Sequence, residues 1–159
     1  MNDHCKDMYN DNKDNKKPSK DKLCERCGKC EKFARILGSE VLECNENAEL
    51  CVVTRVRDIT VEIKGRRTVS PLVLNALFSF EAPDASGNTL NLGETVILQE
   101  EINPFITALR ERDIKVTALH NHWLFEKPRL FYIHFLSVED PLSFARKVAE
   151  AFRILENHC

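Results

Sequence analysis

The stretch from Ile114 to Ser137, IKVTALHNHWLFEKPRLFYIHFLS, constrains the fold most strongly, because it contains two runs of strand-forming residues around a polar connection. β-Branched and aromatic residues dominate both runs, namely Val116, Thr117, Trp123, Phe131, Tyr132, Ile133 and Phe135. Glu126-Lys127-Pro128 is the connection, since its proline cannot donate a hydrogen bond to a ladder. The stretch therefore predicts a β-hairpin.

This hairpin holds three of the five histidines of the chain. Because side chains alternate along a strand, His120 and His122 share one face. A three-residue connection sets His134 opposite His120 and Tyr132 opposite His122 on that same face, whereas an even-length connection would turn His134 away. Opposite residues have Cβ atoms about 4.5–5.5 Å apart, which is close enough for imidazoles to share one ion.

The three histidines predict a metal site. Neutral imidazoles suit zinc, copper, iron or nickel, and three protein ligands with an open position is the usual plan of a catalytic zinc site. We therefore predict that a divalent metal, with zinc as the first choice, binds His120, His122 and His134. The alternative interpretation is that these are half-buried strand histidines or a surface pair.

Length and composition indicate the class of protein. The chain has 159 residues, of which 43% are hydrophobic and 30% charged, as expected for one globular domain. A net charge of −2 gives no nucleic-acid-binding signature. No apolar run reaches the roughly 18–20 residues of a membrane helix, and the first residues lack the apolar region of a signal peptide. These features predict a cytoplasmic protein with neither nucleic acid nor membrane as a partner.

The cysteines form the second notable pattern. Seven is an odd number and several cluster near the N-terminus, which suits a reducing compartment and predicts thiols. Cys24, Cys27 and Cys30 are spaced C-x2-C-x2-C and are candidates for a second metal site, completed by Cys44, Cys51 or His4. The alternative is a thiol-rich tail. Residues 1–30 are taken as an Asn/Asp/Lys-rich and Cys-rich tail, with residues 1–22 disordered.

The remaining chain alternates helical and strand patterns. Amphipathic or capped helices are predicted at residues 31–39, from Asn103 to Arg112 and after Asp140-Pro141. Strand patterns occupy the intervening stretches, with Gly93 as a candidate bulge. The predicted fold is α+β: a mixed β-sheet with a βαβ crossover, a C-terminal β-hairpin and packing helices, in a single domain over residues 31–159.

The crossover suggests catalytic carboxylates. Parallel strands bring their carboxyl ends together, so Glu100 or Glu101 is expected near the histidines as a fourth ligand or general base. Glu94 and Glu126 are rival candidates. The alternative is a solvated acidic strand end.

A turn with two adjacent arginines, Arg66 and Arg67, is a candidate for binding an anionic substrate. The alternative is that these arginines are simply solvated.

Three stretches resemble the DUF1259 family, which includes the LppY/LpqO-like proteins: GRRTVSPLVLNALFSF, LGETVILQEEINPFITALRERDIKVTALHNHWLFEKPRLFYIHF and DPLSFARKVAEAF. The resemblance covers about Phe33 to Leu155. It implies little about activity. Because the LppY/LpqO lipoproteins resemble two such domains in one chain, it implies that a single-domain protein forms a homodimer. The CERCGKC segment is not part of the resemblance.

Two classes of function follow. The first is a metal-dependent lyase or hydrolase acting on a small anionic substrate, in which the metal polarises a carbonyl or activates water. The alternative is a non-catalytic module for small-ligand binding, metal binding or dimerisation. A metal with an open coordination position would favour the enzyme.

Overall fold

The computed structural model describes the backbone of residues 20–45 and 47–156 and the side chains of residues 28–45 and 47–156. Its helices are α1 (Lys20–Leu37), α2 (Pro71–Leu74), α3 (Ile102–Arg110) and α4 (Pro141–Glu156), with a 3-10 turn at Gln99–Glu101. Its strands are β1 (Glu40–Asn45), β2 (Leu50–Val56), β3 (Val61–Ile63), β4 (Arg66–Thr68), β5 (Asn75–Glu81), β6 (Thr89–Leu98), β7 (Lys115–His120), β8 (Glu126–Lys127) and β9 (Leu130–Glu139). This confirms the predicted α+β class.

The strands form two sheets. The large sheet has six strands in the order β1-β2-β5-β6-β9-β7, and the small sheet has the order β4-β3-β8. Helices α1, α3 and α4 cover one face of the large sheet, where Phe33, Phe105 and Phe152 enter the main core. The small sheet and α2 pack on part of the other face in a second core. We name the part of this second face that the small sheet and α2 leave uncovered the open face.

The predicted crossover is present in a split form. Strand β9 lies between β6 and β7 and is antiparallel to both, so β6 and β7 run in the same direction without pairing. The connection from β7 to β9 is longer than predicted because β8 pairs with β3. His120 therefore lies opposite Tyr132, and His134 opposite Ala118. The predicted register was wrong by two residues, a shift that keeps both histidines on one face.

Helix α1 begins at Lys20, earlier than the predicted start at Glu31, and its C-terminal half packs beside β2. This packing brings Cys30 and Cys51 together as a disulfide with Cα atoms 5.8 Å apart. The prediction that these cysteines are thiols was wrong, because the contact joins residues 21 positions apart that no local pattern relates. Disorder was predicted for residues 1–22. Residues 20–22 are helical in α1, so the prediction was wrong there, and residues 1–19 lie outside the described residues.

Gly93 makes room for an aromatic ring. It lies opposite Phe78 and Phe135 in continuous register, so the predicted bulge was wrong. A Cβ atom at this position would lie 2.2 Å from the Phe135 ring. Phe135 also packs edge-on against Phe105, which limits its movement.

We expect Gly93→Ala to lower the free energy of unfolding by about 1–3 kcal/mol, because an added methyl overpacks the core. Urea denaturation measures the change. The control is Gly28→Ala, since a Cβ at this glycine in α1 meets nothing within 4 Å. The control should be neutral or slightly stabilising. Equal stability of Gly93→Ala and wild type would contradict the packing described here.

Candidate functional site

The site lies on the open face, next to the small sheet, where side chains of three neighbouring strands meet. Glu94 of β6 lies opposite His134 of β9, and His120 comes from the edge strand β7. The Nε2 atoms of His120 and His134 are 2.8 Å apart. A Glu94 carboxylate oxygen is 3.2 Å from His134 Nδ1. These three residues form the histidine pair and its acidic neighbour.

Hydrogen bonding with Glu94 indicates the tautomer of His134. A carboxylate only accepts, so His134 Nδ1 donates to Glu94. His120 Nδ1 lies 3.3 Å from the carbonyl oxygen of Asn121, which also only accepts. A neutral His134 therefore presents its Nε2 lone pair to His120. At 2.8 Å, His120 Nε2 either donates its own proton to this lone pair or joins it in binding one metal ion.

His122 lies near the histidine pair, but its ring packs closer to Tyr132 than to His120. Its ring packs at a 40° tilt against Tyr132, with centroids 4.1 Å apart, whereas the His120 and His122 centroids are 5.7 Å apart. Across the described residues, no group of three or more His, Cys, Asp or Glu side chains is arranged to hold a metal ion. The structure therefore brings the three predicted ligands to one region, but only His120 and His134 have ring nitrogens within hydrogen-bonding distance.

Tyr132 fixes the wall beside the histidines. Its hydroxyl donates to the carbonyl oxygens of Val73 and Leu72, at 2.7 and 3.0 Å. These carbonyls belong to α2, which begins where Ser70 caps the helix and Pro71 occupies the first turn. Burial raises the pKa of Tyr132, the nearby charge of Glu94 raises it further, and Trp123 acts in the opposite sense. Tyr132 is therefore a protonated structural donor at neutral pH.

The predicted carboxylates are placed differently. Glu101 is 1% exposed and forms a two-pronged ion pair with Arg57, at 2.7 and 2.8 Å. It also accepts a hydrogen bond from the Leu98 N–H. Glu100 is exposed in the 3-10 turn. The carboxylate that contacts an imidazole is Glu94, the rival candidate, because β9 separates the carboxyl ends of β6 and β7.

The predicted arginines lie on the small sheet. Arg66 and Arg67 belong to β4, at the edge of that sheet away from β8, and both are exposed. Arg67 lies opposite Glu62, which in turn lies opposite Lys127. The structure therefore does not bring the two arginines onto the strands that carry the histidine pair.

The candidate second metal site is changed by the disulfide. Cys30 is bonded to Cys51 and so offers no thiolate in this state. The side chains of Cys24 and Cys27 lie outside the described residues. The predicted set of Cys24, Cys27 and Cys30 is thus incomplete as long as the disulfide is intact.

A polar clamp that sequence analysis missed holds the loop after His120. The Asn121 amide donates to Glu126 and to the Leu130 carbonyl, both at 2.9 Å. Arg129 pairs with the same carboxylate at 3.2 Å, and the Glu126 side chain is 2% exposed. An asparagine after a histidine and a glutamate five residues later are the only sequence signs of this clamp.

Acid should weaken the clamp. Burial acts to raise the pKa of Glu126, but hydrogen bonds from backbone N–H groups and Asn121, with the charge of Arg129, outweigh it and lower the pKa below 4.5. A lowered carboxyl pKa contributes stability above the unfolded pKa that is lost as pH falls through the folded pKa. We expect the urea midpoint of the wild type to fall more steeply below pH 4.5 than that of Glu126→Gln. Parallel curves would contradict this prediction.

Comparison with known proteins gives one match. A family model described as a domain of unknown function, DUF1259, matches residues 31–154. No curated protein and no solved structure is significantly similar to the chain. Within the described residues, no helix is long and apolar enough to cross a membrane.

Proposed function

The chain belongs to the DUF1259 family, and we propose that it binds a divalent transition metal, with zinc as the first choice, through His120 and His134. The observation that carries this proposal is the pair of Nε2 atoms 2.8 Å apart, each on a ring whose Nδ1 faces an acceptor. Imidazoles are suitable ligands for zinc, copper, iron and nickel. His122 is the proposed third ligand, since its ring is exposed and only 5.7 Å from that of His120.

The surroundings of the pair support this proposal. Metal-binding histidines usually donate their second ring N–H to a carboxylate or a backbone carbonyl, which orients the ring and raises its basicity. Glu94 does this for His134, and the Asn121 carbonyl does it for His120. The clamp of Asn121 and Glu126 holds the loop between the histidines in place.

The proposed reaction class is that of a lyase or hydrolase acting on a small anionic substrate. A bound zinc ion would supply a Lewis acid for a carbonyl oxygen or for a water molecule. Glu94 replaces Glu100 and Glu101 as the proposed carboxylate of the site, since it alone among them contacts an imidazole. Arg66 and Arg67 are the proposed anion-binding residues, exposed on the edge of the neighbouring small sheet.

Zinc titration of the full chain by calorimetry tests the proposal. We expect His120→Ala and His134→Ala each to weaken zinc binding by more than about 100-fold, because each removes a ligand. Glu94→Gln should weaken it by about 10–100-fold, the usual cost of losing a carboxylate that orients a ligand.

The matched control is His158→Ala, which makes the same chemical change outside the hairpin. It should bind zinc as the wild type does. If His134→Ala binds zinc with unchanged affinity, the pair is not a metal site.

The second candidate function is a non-catalytic binding or dimerisation module, and the exposed apolar residues Leu92 and Val138 on the open face favour it. In either case we propose a homo-oligomer. The Cys30–Cys51 disulfide argues against the cytoplasmic location predicted from the sequence, because disulfides persist mainly in oxidising compartments.

A further inference from the structure

Strand β6 has its polar and apolar residues reversed. Its side facing the helices carries Thr89, Asn91 and Thr95, which are 3%, 0% and 0% exposed. Its other side carries Leu90 and Leu92, and Leu92 is 37% exposed. Antiparallel sheets with one solvated face normally place apolar residues toward the core and polar residues toward water. The open side of β6 is therefore suited to being covered.

Neighbouring strands continue this apolar surface. Leu92 lies opposite Leu136, and Leu90 lies opposite Val138, which is 69% exposed. On β5 and β2, Leu77 and Val52 point to the same side. We name these residues the leucine face: Val52, Leu77, Leu90, Leu92, Leu136 and Val138. A row is a line of paired residues that crosses the strands on one face. Ser79, Glu81 and Glu94 lie in the same rows between these apolar residues. An exposed patch that is largely apolar marks an interaction surface.

We infer that the leucine face is the contact surface for a second copy of this chain, packed sheet against sheet. Apolar sheet faces commonly cover each other at a spacing of about 10 Å. Three such rows measure about 20 Å along the strands, and six strands measure about 29 Å across, from the usual strand spacings. That is roughly 600 Å² per copy and about 1,200 Å² in total, the lower limit of standard specific interfaces.

The rim charges support a two-fold arrangement. Glu40 and Glu43 are exposed on β1, at one edge of the large sheet, and Lys115 is exposed on β7, at the other edge. All three are paired with residues whose side chains lie on the open face, so they share that face. A two-fold axis parallel to the strands lays the β1 edge of one copy over the β7 edge of its partner. Opposite charges then meet at both ends of the interface.

Other occupants fit this surface less well. Residues 1–19 are mostly asparagine, aspartate and lysine, so their sequence offers little apolar surface. Small molecules bind in concave pockets, whereas the leucine face is one side of an extended sheet. A second copy supplies a matching apolar surface of equal size. This contact would also cover the row of Glu94 and His134, which borders Leu92 and Leu136. The dimer therefore agrees with the second candidate function, the dimerisation module, and competes with access of a substrate to the histidine pair.

Sedimentation of the full chain in EDTA tests this inference separately from metal binding. We expect a mass twice that of the 18.3 kDa chain. Leu92→Lys and Val138→Lys should raise the dissociation constant of the dimer by at least about 100-fold, because the two-fold axis repeats each buried lysine. Val138 is already 69% exposed, so its replacement should leave the fold intact, as circular dichroism would verify.

Val69→Lys is the control, since Val69 is 80% exposed in the segment between β4 and α2 and lies outside the leucine face. It should remain dimeric. A monomeric wild type, or a Val138→Lys variant that dimerises as tightly as wild type, would overturn the inference. Zinc titration of the same variants after removal of EDTA reports on the histidine pair, so the failure of one proposal is distinguishable from that of the other.

Discussion

Replacing Arg57 with alanine is expected to lower the free energy of unfolding by about 3–5 kcal/mol. Arg57 follows β2, and Arg57 and Glu101 have side chains only 6% and 1% exposed. Arg57 also donates to the carbonyl oxygens of Val96 and Leu155, at 3.1 and 3.0 Å. Its removal leaves a buried carboxylate without its cation and two carbonyls without a donor.

Urea denaturation would measure this effect, with Arg112→Ala as the matched control. Arg112 pairs with Glu150 on the surface, where the two side chains are 29% and 53% exposed. Exposed pairs contribute about 0–1 kcal/mol, so the control should lose little. The losses in Arg57→Ala and Glu101→Gln should also be strongly non-additive in the double variant. Additive and small losses would contradict a buried ion pair.

Removing the disulfide is expected to have the next largest effect on stability. Cys30 and Cys51 close a loop over 21 positions and join α1 to β2. Loop-closure entropy predicts that the double variant Cys30→Ala/Cys51→Ala loses about 3 kcal/mol. Thermal or urea denaturation of the two proteins gives the difference.

Reductant provides the internal control for this second prediction. The wild type should lose the same stability in dithiothreitol, whereas the double variant should not respond. A wild type whose stability and number of alkylatable thiols are unchanged by reductant would show that Cys30 and Cys51 are thiols in solution.

The sequence was sufficient for those features that depend on local patterns. Alternation along β7 and β9 put His120 and His134 on one face, and the two-residue error in register left that face unchanged. The α+β class and the family followed from element patterns and long motifs, and both are confirmed. Residues on a strand share a face when an even number of positions separates them. A two-residue shift in register therefore leaves His120 and His134 on the same face.

Features that depend on distant contacts could not be read from the sequence. The insertion of β9 between β6 and β7 decided that Glu94 contacts an imidazole. The packing of α1 on β2 decided which cysteines pair. Nothing near Arg57 in the sequence distinguishes it from the exposed arginines of β4, so its burial against Glu101 was missed.

The tautomers of the paired histidines are the most direct test of the proposed metal site. A long-range proton–nitrogen correlation spectrum of the full chain reports which imidazole nitrogens carry protons. With both rings neutral and no metal, His134 should carry its proton on Nδ1 and His120 its proton on Nε2. Zinc should shift both Nε2 resonances and move the His120 proton to Nδ1. A proton on Nε2 of His134 in the metal-free protein, or Nε2 resonances that zinc leaves unmoved, would contradict the proposed site.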